Sequence, residues 1–186
     1  MAHRVIPKEA IDNAAFEVMR TEGFSAIKAR RLAKQVGCSS QPLFRDYDSI
    51  EEIKEVAAKK AADYMSKYVF KFRETGNPFL DMGISYIRFA QEEKHLFKVL
   101  VVDNVLQRPF FDSAVIGAMM AAMQREAAQE TEDPMEDAQF ENMMRDVLVY
   151  TYGLAHMAYQ GNIEMDAGEL TEMLSGFVEH WIAGMK

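Results

Sequence analysis

Only one cysteine, Cys38, occurs in the 186 residues. A single thiol closes no internal disulfide, which excludes a disulfide-stapled secreted scaffold, and it cannot supply the usual cysteine-rich structural zinc site. Long apolar runs are also missing. The longest, residues 114–123, spans ten residues, about half of the roughly 20 that a membrane-spanning helix needs. The first seven residues, Met1 to Pro7, carry no apolar stretch of the signal-peptide kind. The expectation is a cytoplasmic protein with no membrane partner. No stretch alternates apolar and polar residues as a half-buried strand does. A phosphate-binding glycine loop, a nucleophile elbow and a His-Glu-x-x-His pair are likewise absent.

What is present is ordinary for a globular chain. Apolar residues make up 49% and charged residues 27%, which argues against disorder. The length suffices for one domain or two small packed ones. Net charge is −8 but unevenly placed. Residues 1–60 hold 11 Lys and Arg against 9 Asp and Glu; residues 61–186 hold 10 against 20. The whole-chain value speaks against nucleic acid, and the split weakens that objection, because a near-neutral, slightly basic module can stand on an acidic body. An acidic surface that merely favours solubility accounts for the same numbers.

Gly and Pro punctuate a chain that reads as helix nearly throughout. Helix one starts at Pro7, carries Ile11, Ala14, Ala15, Val18 and Met19 on one face and stops at Gly23. Ser25 is placed to cap a second helix that runs to Val36. A short third helix covers residues 40–46. Asp48 or Ser49 caps a long fourth one ending near Thr75 and Gly76. Further helices are expected over residues 78–91, 93–101, 109–130, 136–160 and 167–184. The total is about nine, an all-α architecture.

The most informative segment is Arg30 to Tyr47. Two helices crossing at a tight corner need a small residue where they touch and a turn residue that tolerates positive φ. Ala33 and Gly37 supply these, and Leu32, Val36, Cys38 and Leu43 fall on the inner faces. The pattern fits a helix-turn-helix. Ser39 is placed to cap the second helix, and Pro42 sits in its first turn. In such a motif the first residues of the second helix meet base edges in the major groove. Here those are Ser40, Gln41, Phe44 and Arg45; Gln can read adenine and Arg guanine through paired hydrogen bonds. The same spacing also occurs at corners inside ordinary helical bundles.

Residues 7–60 resemble the TetR/AcrR family of bacterial transcriptional regulators. The resemblance rests on Ile11, Ala14 and Ala15, then Glu22-Gly23-Phe24, Leu32-Ala33, Gly37-Cys38-Ser39, Leu43-Phe44-x-x-Tyr47 and Ser49-x-Glu51-Glu52-Ile53. It implies a head at residues 1–48 and a ligand-binding and dimerisation body at 49–186, joined by the helix over 49–75. It also implies a homodimer on a near-palindromic double-stranded DNA operator, and a small-molecule inducer that shifts the separation of the two heads. By position, Lys28 and Arg30 look like phosphate contacts, Ser39, Ser40, Gln41, Phe44 and Arg45 like the recognition set, and Tyr47 like the DNA-proximal aromatic that closes the head onto the fourth helix. Three positions depart from the family pattern: Ile27 replaces a Thr, Asp46 a Tyr and Ile50 a Lys. Each removes a phosphate partner, which predicts weaker or more salt-sensitive binding; a head that no longer binds DNA is the alternative.

Beyond residue 60 the chain is rich in Met and aromatics. Met is adaptable and recurs at promiscuous apolar surfaces, so an apolar pocket is expected, with Phe97, Met119, Met120, Met123, Met143, Tyr150 and His156 as candidate lining. Core filling explains most of these residues one by one. The last two helices carry apolar stripes that suit a four-helix dimer interface, with Tyr150, Leu154, Met157, Leu174, Phe177, Val178 and Trp181 as its candidates. An enzyme is not expected. Glu92 and His95 form a Glu-x-x-His pair, but neither His156 nor His180 follows a Glu at that spacing, so a di-metal site lacks its second half. Cys38 has no base beside it. No cofactor or metal is called for.

Overall fold

The computed structural model describes residues 6–71, 73–107 and 136–184, and among them every regular element is helical. The helix expected over 109–130, with the candidate pocket residues Met119, Met120 and Met123, lies outside the described residues.

The first helix, α1, covers Lys8–Glu22 and follows Pro7. Its face of Ile11, Ala14, Ala15, Val18 and Met19 is buried as the spacing predicts. Ser25 does not cap the next helix. It lies in a 3-10 turn, Phe24–Ala26, and α2 covers Ala29–Val36. The reason is Ile27: its side chain is 1% exposed, and Ile27 and Lys28 are held extended before the helix begins. At the other end Gly37 adopts φ 72°, ψ 40°. The Cys38 N–H donates to the Ala33 carbonyl at 2.9 Å, the closing bond of a Schellman stop that a residue with a Cβ resists.

The expected third helix is a five-residue 3-10 turn, Gln41–Arg45, with Phe44 off helical geometry at φ −89°, ψ 18°. Five residues cannot repay the cost of nucleating an α-helix, and Pro42 brings no N–H. The turn persists because Leu43 is buried. Ser40, rather than Ser39, occupies the N-cap position, and it makes no side-chain cap hydrogen bond.

Ser49 starts α3, Ile50–Lys71. The Glu52 N–H donates to Ser49 Oγ at 3.2 Å while the Glu52 carboxylate accepts from the Asp48 N–H at 2.7 Å, a variant of the capping box. The helix stops at Lys71 rather than near residue 75. Asp81 draws the following turn out of the helical path: its Oδ1 accepts from the Glu74 and Thr75 N–H groups and from the Thr75 hydroxyl. Then comes α4, Pro78–Glu92, whose first amides donate to Asn77 Oδ1. After it, α5 (Lys94–Phe97) runs directly into a π-turn, Lys98–Val102. The last two helices are α6 (Asp137–Tyr159) and α7 (Ala167–Ala183). A reciprocal pair of hydrogen bonds between Asp166 and Glu169 starts α7.

The chain divides into two compact units. The first holds the described residues up to Met65 together with Glu93–Gln107. Its buried residues include the inner face of α1 together with Leu32, Leu43, Ile53, Ala57 and Phe97, and α1 packs on α2 and α5. The second holds Ser66–Glu92 and the described residues after 135. There α4 packs on α6 and α7. Phe140, Met143, Met144 and Val147 form a core cluster against Phe79, Phe177, Val178 and Trp181. Among the described residues no helix is long and apolar enough to cross a membrane.

Candidate nucleic-acid interface

In the first unit, the segment from α2 through the 3-10 turn carries most of the expected contacts at its surface. Lys28, Arg30, Lys34, Ser39, Gln41, Phe44 and Arg45 are exposed, and Ser40 is half-buried. At 3-10 spacing, residues three apart eclipse each other, so Gln41 and Phe44 stand on one side. Tyr47 differs from the rest. It is 3% exposed; its hydroxyl donates to Asp12 on α1, and the Lys8 ammonium lies 4.6 Å from its ring centre. Burial, reinforced by Asp12, pushes the Tyr47 phenol above its usual range. Tyr47 therefore closes the unit onto α1 and keeps its hydroxyl occupied there.

The cations of this unit fall into two groups. Arg31 is closed onto Glu22 by a forked pair at 2.5–3.1 Å, and its remaining arm donates to Gln35. The Arg31 hydrogen bonds hold the Glu22 carboxyl below its usual range. Arg20 pairs with Glu93, Lys54 with Glu51 and Lys59 with Glu55, and Lys60 donates to Asn13. By contrast, Lys28, Arg30, Lys34 and Arg45 form no ion pair with any carboxylate among the described residues. All four lie between residues 28 and 45; the exposed Lys8 and Lys94 of the same unit are likewise in no ion pair among the described residues. Ile27, where the family pattern has a phosphate-binding Thr, is spent on the core instead, while Asp46 is exposed at the end of the turn.

The Glu-x-x-His pair resolves differently from its sequence spacing. Glu92 accepts from the Tyr68 hydroxyl at 2.6 Å and lies 3.4 Å from Arg88. His95 packs over Gly23, where a Cβ would come within 3.3 Å of its Nδ1. Among the described residues no group of His, Cys, Asp and Glu is arranged to hold a metal. The unexpected residue is Glu93. Its side chain, 8% exposed, accepts three hydrogen bonds from Arg20 and one from the Tyr64 hydroxyl. Those bonds push the Arg20 guanidinium up from its usual range. Nothing in the spacing separates Glu93 from Glu92; the partner lies 73 residues away.

The described candidate ligand residues fall in both units. Phe97 is fully buried in the first unit, whereas Met143, Tyr150 and His156 belong to the second. Met143 is part of the Phe140 core cluster, and Tyr150 stacks on Phe177 with ring centres 4.3 Å apart. His156 stands between Tyr152 and Tyr159 at 5.7 and 6.1 Å. Burial, with Tyr152 nearby, pushes the Tyr86 phenol up. The spacing of Tyr152, His156 and Tyr159 along one helix was the available signal for this polar aromatic group.

The candidate dimer residues also divide. Leu154 and Leu174 are buried by their own chain, and Leu174 Cδ1 lies only 2.9 Å from where a Cβ on Gly83 would be. Phe177, Val178 and Trp181 are half-buried against the core cluster, and the Trp181 indole donates to Asp146 at 3.1 Å. Both leucines are correctly placed on apolar stripes, but those stripes face inward. What α6 does turn outward is Val149, Gly153 and Met157, with Val149 57% and Met157 44% exposed.

The described residues form two compact, wholly helical units. Solved structures share this fold. A TetR-like transcriptional regulator from Rhodococcus sp. RHA1 superposes with a TM-score of 0.62 at 15% identity, over 99% of this chain and 100% of the other. A second transcriptional regulator from Rhodococcus sp. RHA1 gives 0.60 at 14% identity, over 96% and 97%. A TetR-family regulator from Streptomyces coelicolor gives 0.59 at 16% identity, over 95% and 78%. The chain thus has the fold of TetR-family transcriptional regulators. No family model and no curated protein matches its sequence.

Proposed function

We propose that the chain is a one-component, DNA-binding transcriptional regulator. It acts as a repressor, binding a near-palindromic operator as a homodimer and leaving it when a small, largely hydrophobic ligand binds the body. The observation that carries this reading is the grouping of Lys28, Arg30, Lys34 and Arg45, all exposed and in no ion pair among the described residues, on the segment from α2 through the 3-10 turn. Phosphate neutralisation needs such cations and gains nothing from paired ones. Lys28 and Arg30 take phosphates. Gln41 and Arg45 read base edges, and Phe44 offers an apolar face to a thymine methyl. The outward stripe of Val149, Gly153 and Met157 supports pairing with a second copy. Two heads on one dimer then meet half-sites about 34–36 Å apart, and a ligand favouring another head separation shifts the population off the operator.

A second reading has its own support. The recognition segment is a 3-10 turn rather than an α-helix, and Ile27 and Asp46 each withdraw a phosphate partner. A ligand-sensing protein with a head that has lost DNA binding would look the same at these positions.

Selection from a randomised duplex library, followed by anisotropy titration of the selected duplex over a salt series, separates the two. The regulator selects a defined sequence, binds it more weakly as salt rises, and loses about 1–3 kcal/mol at one base position on Arg45→Ala. A chain that selects nothing at low salt has no operator.

A further inference from the structure

The Arg20–Glu93–Tyr64 cluster joins three elements of the first unit: α1, α3 and the start of α5. Its carboxylate is nearly enclosed, and both its oxygens accept from Arg20, Nε at 2.9 Å to each and Nη2 at 2.6 Å to Oε1. The Tyr64 hydroxyl adds a bond at 2.9 Å, while its ring lies 5.3 Å under the guanidinium and 5.4 Å from Phe16. A planar fork on a carboxylate fixes direction as well as distance.

Chain connectivity gives this cluster its meaning. Residues 93–107 belong to the first unit, yet the residues just before them, Ser66–Glu92, belong to the second, as do the described residues after 135. Glu93 is therefore the first residue by which the chain returns to the unit that carries the helix-turn-helix. Three and four residues further on, Leu96 and Phe97 are fully buried. His95 covers Gly23, the residue that ends α1 at φ 92°, ψ 167°, a region open essentially to Gly alone. Asn104 and Gln107, both at positive φ, end the segment.

We infer that Glu93 is a positioning residue for DNA recognition: its closed pair with Arg20 and Tyr64 latches residues 93–107 onto α1 and α3, and so holds the helix-turn-helix in its binding-competent form. A state that opens the latch weakens operator binding with no contact to DNA. This inference rests on the regulator reading for its consequence and on the geometry alone for the latch.

The test compares wild type, Glu93→Gln, Arg20→Gln and the double variant in the full chain, by hydrogen exchange and by titration of the library-selected duplex. In Glu93→Gln, amides of 94–102 and of the last turn of α1 are expected to exchange at least about tenfold faster, with Phe140–Val147 unchanged. Operator affinity should fall by about tenfold. Adding Arg20→Gln should change neither readout further, because the two side chains act through one pair; a merely destabilising change would add. Unchanged exchange in Glu93→Gln overturns the latch whatever DNA does. Faster exchange with unaltered operator affinity overturns its role in recognition. Faster exchange in a chain whose wild type selects no duplex overturns the regulator reading and leaves the latch standing.

Discussion

Arg30 and Arg31 are neighbours on α2 and are used in opposite ways. Arg31 folds back onto Glu22 with a closest approach of 2.5 Å, while Arg30 is exposed and pairs with no carboxylate among the described residues. Adjacent helix positions point about 100° apart, so only one of the two can reach the end of α1. The division of labour tells a structural arginine from one held ready for an anion.

That division predicts different phenotypes. Arg30→Ala should weaken binding to all duplexes alike and lower the salt slope by about one unit. Arg31→Ala should leave the slope unchanged and lower the denaturation midpoint slightly, since its ion pair is solvent-exposed. Paired salt titrations and urea melts check both. A steeper loss of slope in Arg31→Ala would reverse the assignment.

Leu43 holds the 3-10 turn to the head with its side chain fully buried. Leu43→Ala should cost about 2–5 kcal/mol. It should abolish sequence preference before non-specific binding, because Gln41, Phe44 and Arg45 lose their placement while Lys28 and Arg30 keep theirs. Unfolding curves and competition with random duplex would show whether that order holds.

Acid should find Asp81. Burial alone would raise its carboxyl; the hydrogen bonds from Thr75 and Glu74, with Arg73 nearby, outweigh that and hold it below the usual carboxylate range. A folded-state value below the unfolded one stabilises the protein above the ordinary range and is lost as pH falls through it. Asp81→Asn should therefore lower the urea midpoint near neutrality and flatten its fall between about pH 5 and pH 3. An unaltered acid slope in the variant would contradict this account.

If the outward stripe of α6 pairs with a second copy, charges placed on it should split the pair. Val149→Glu and Met157→Glu replace exposed apolar side chains and should leave the fold intact by circular dichroism. Sedimentation should then report a monomer, with operator affinity falling alongside. A variant that still sediments as a dimer would move the interface elsewhere.

Much of the helix succession could be read from local chemistry. Ser49 with Glu52, Asn77 before Pro78, and Gly37 after Val36 act within a turn of their own position. Where local reading failed, a distant side chain had overruled it. Ser25 is a good cap residue, but Ile27 needed the core. Glu74 and Thr75 could have continued α3, but Asp81 took their amides. The 40–46 segment was too short to hold an α-helix.

By itself the sequence determined that the regular elements among the described residues are helical, where most of them begin and end, and that a glycine turn follows Val36. Caps, turn glycines and apolar periodicity are short-range and stay in register whatever surrounds them. Tertiary structure alone decided that Arg30 is spare and Arg31 spent, that Glu93 rather than Glu92 meets Arg20, and that Leu154 and Leu174 point inward while Val149 and Met157 point out. Each of those choices depends on which side chain arrives from tens of residues away. Local pattern can offer several equivalent candidates, and packing admits one.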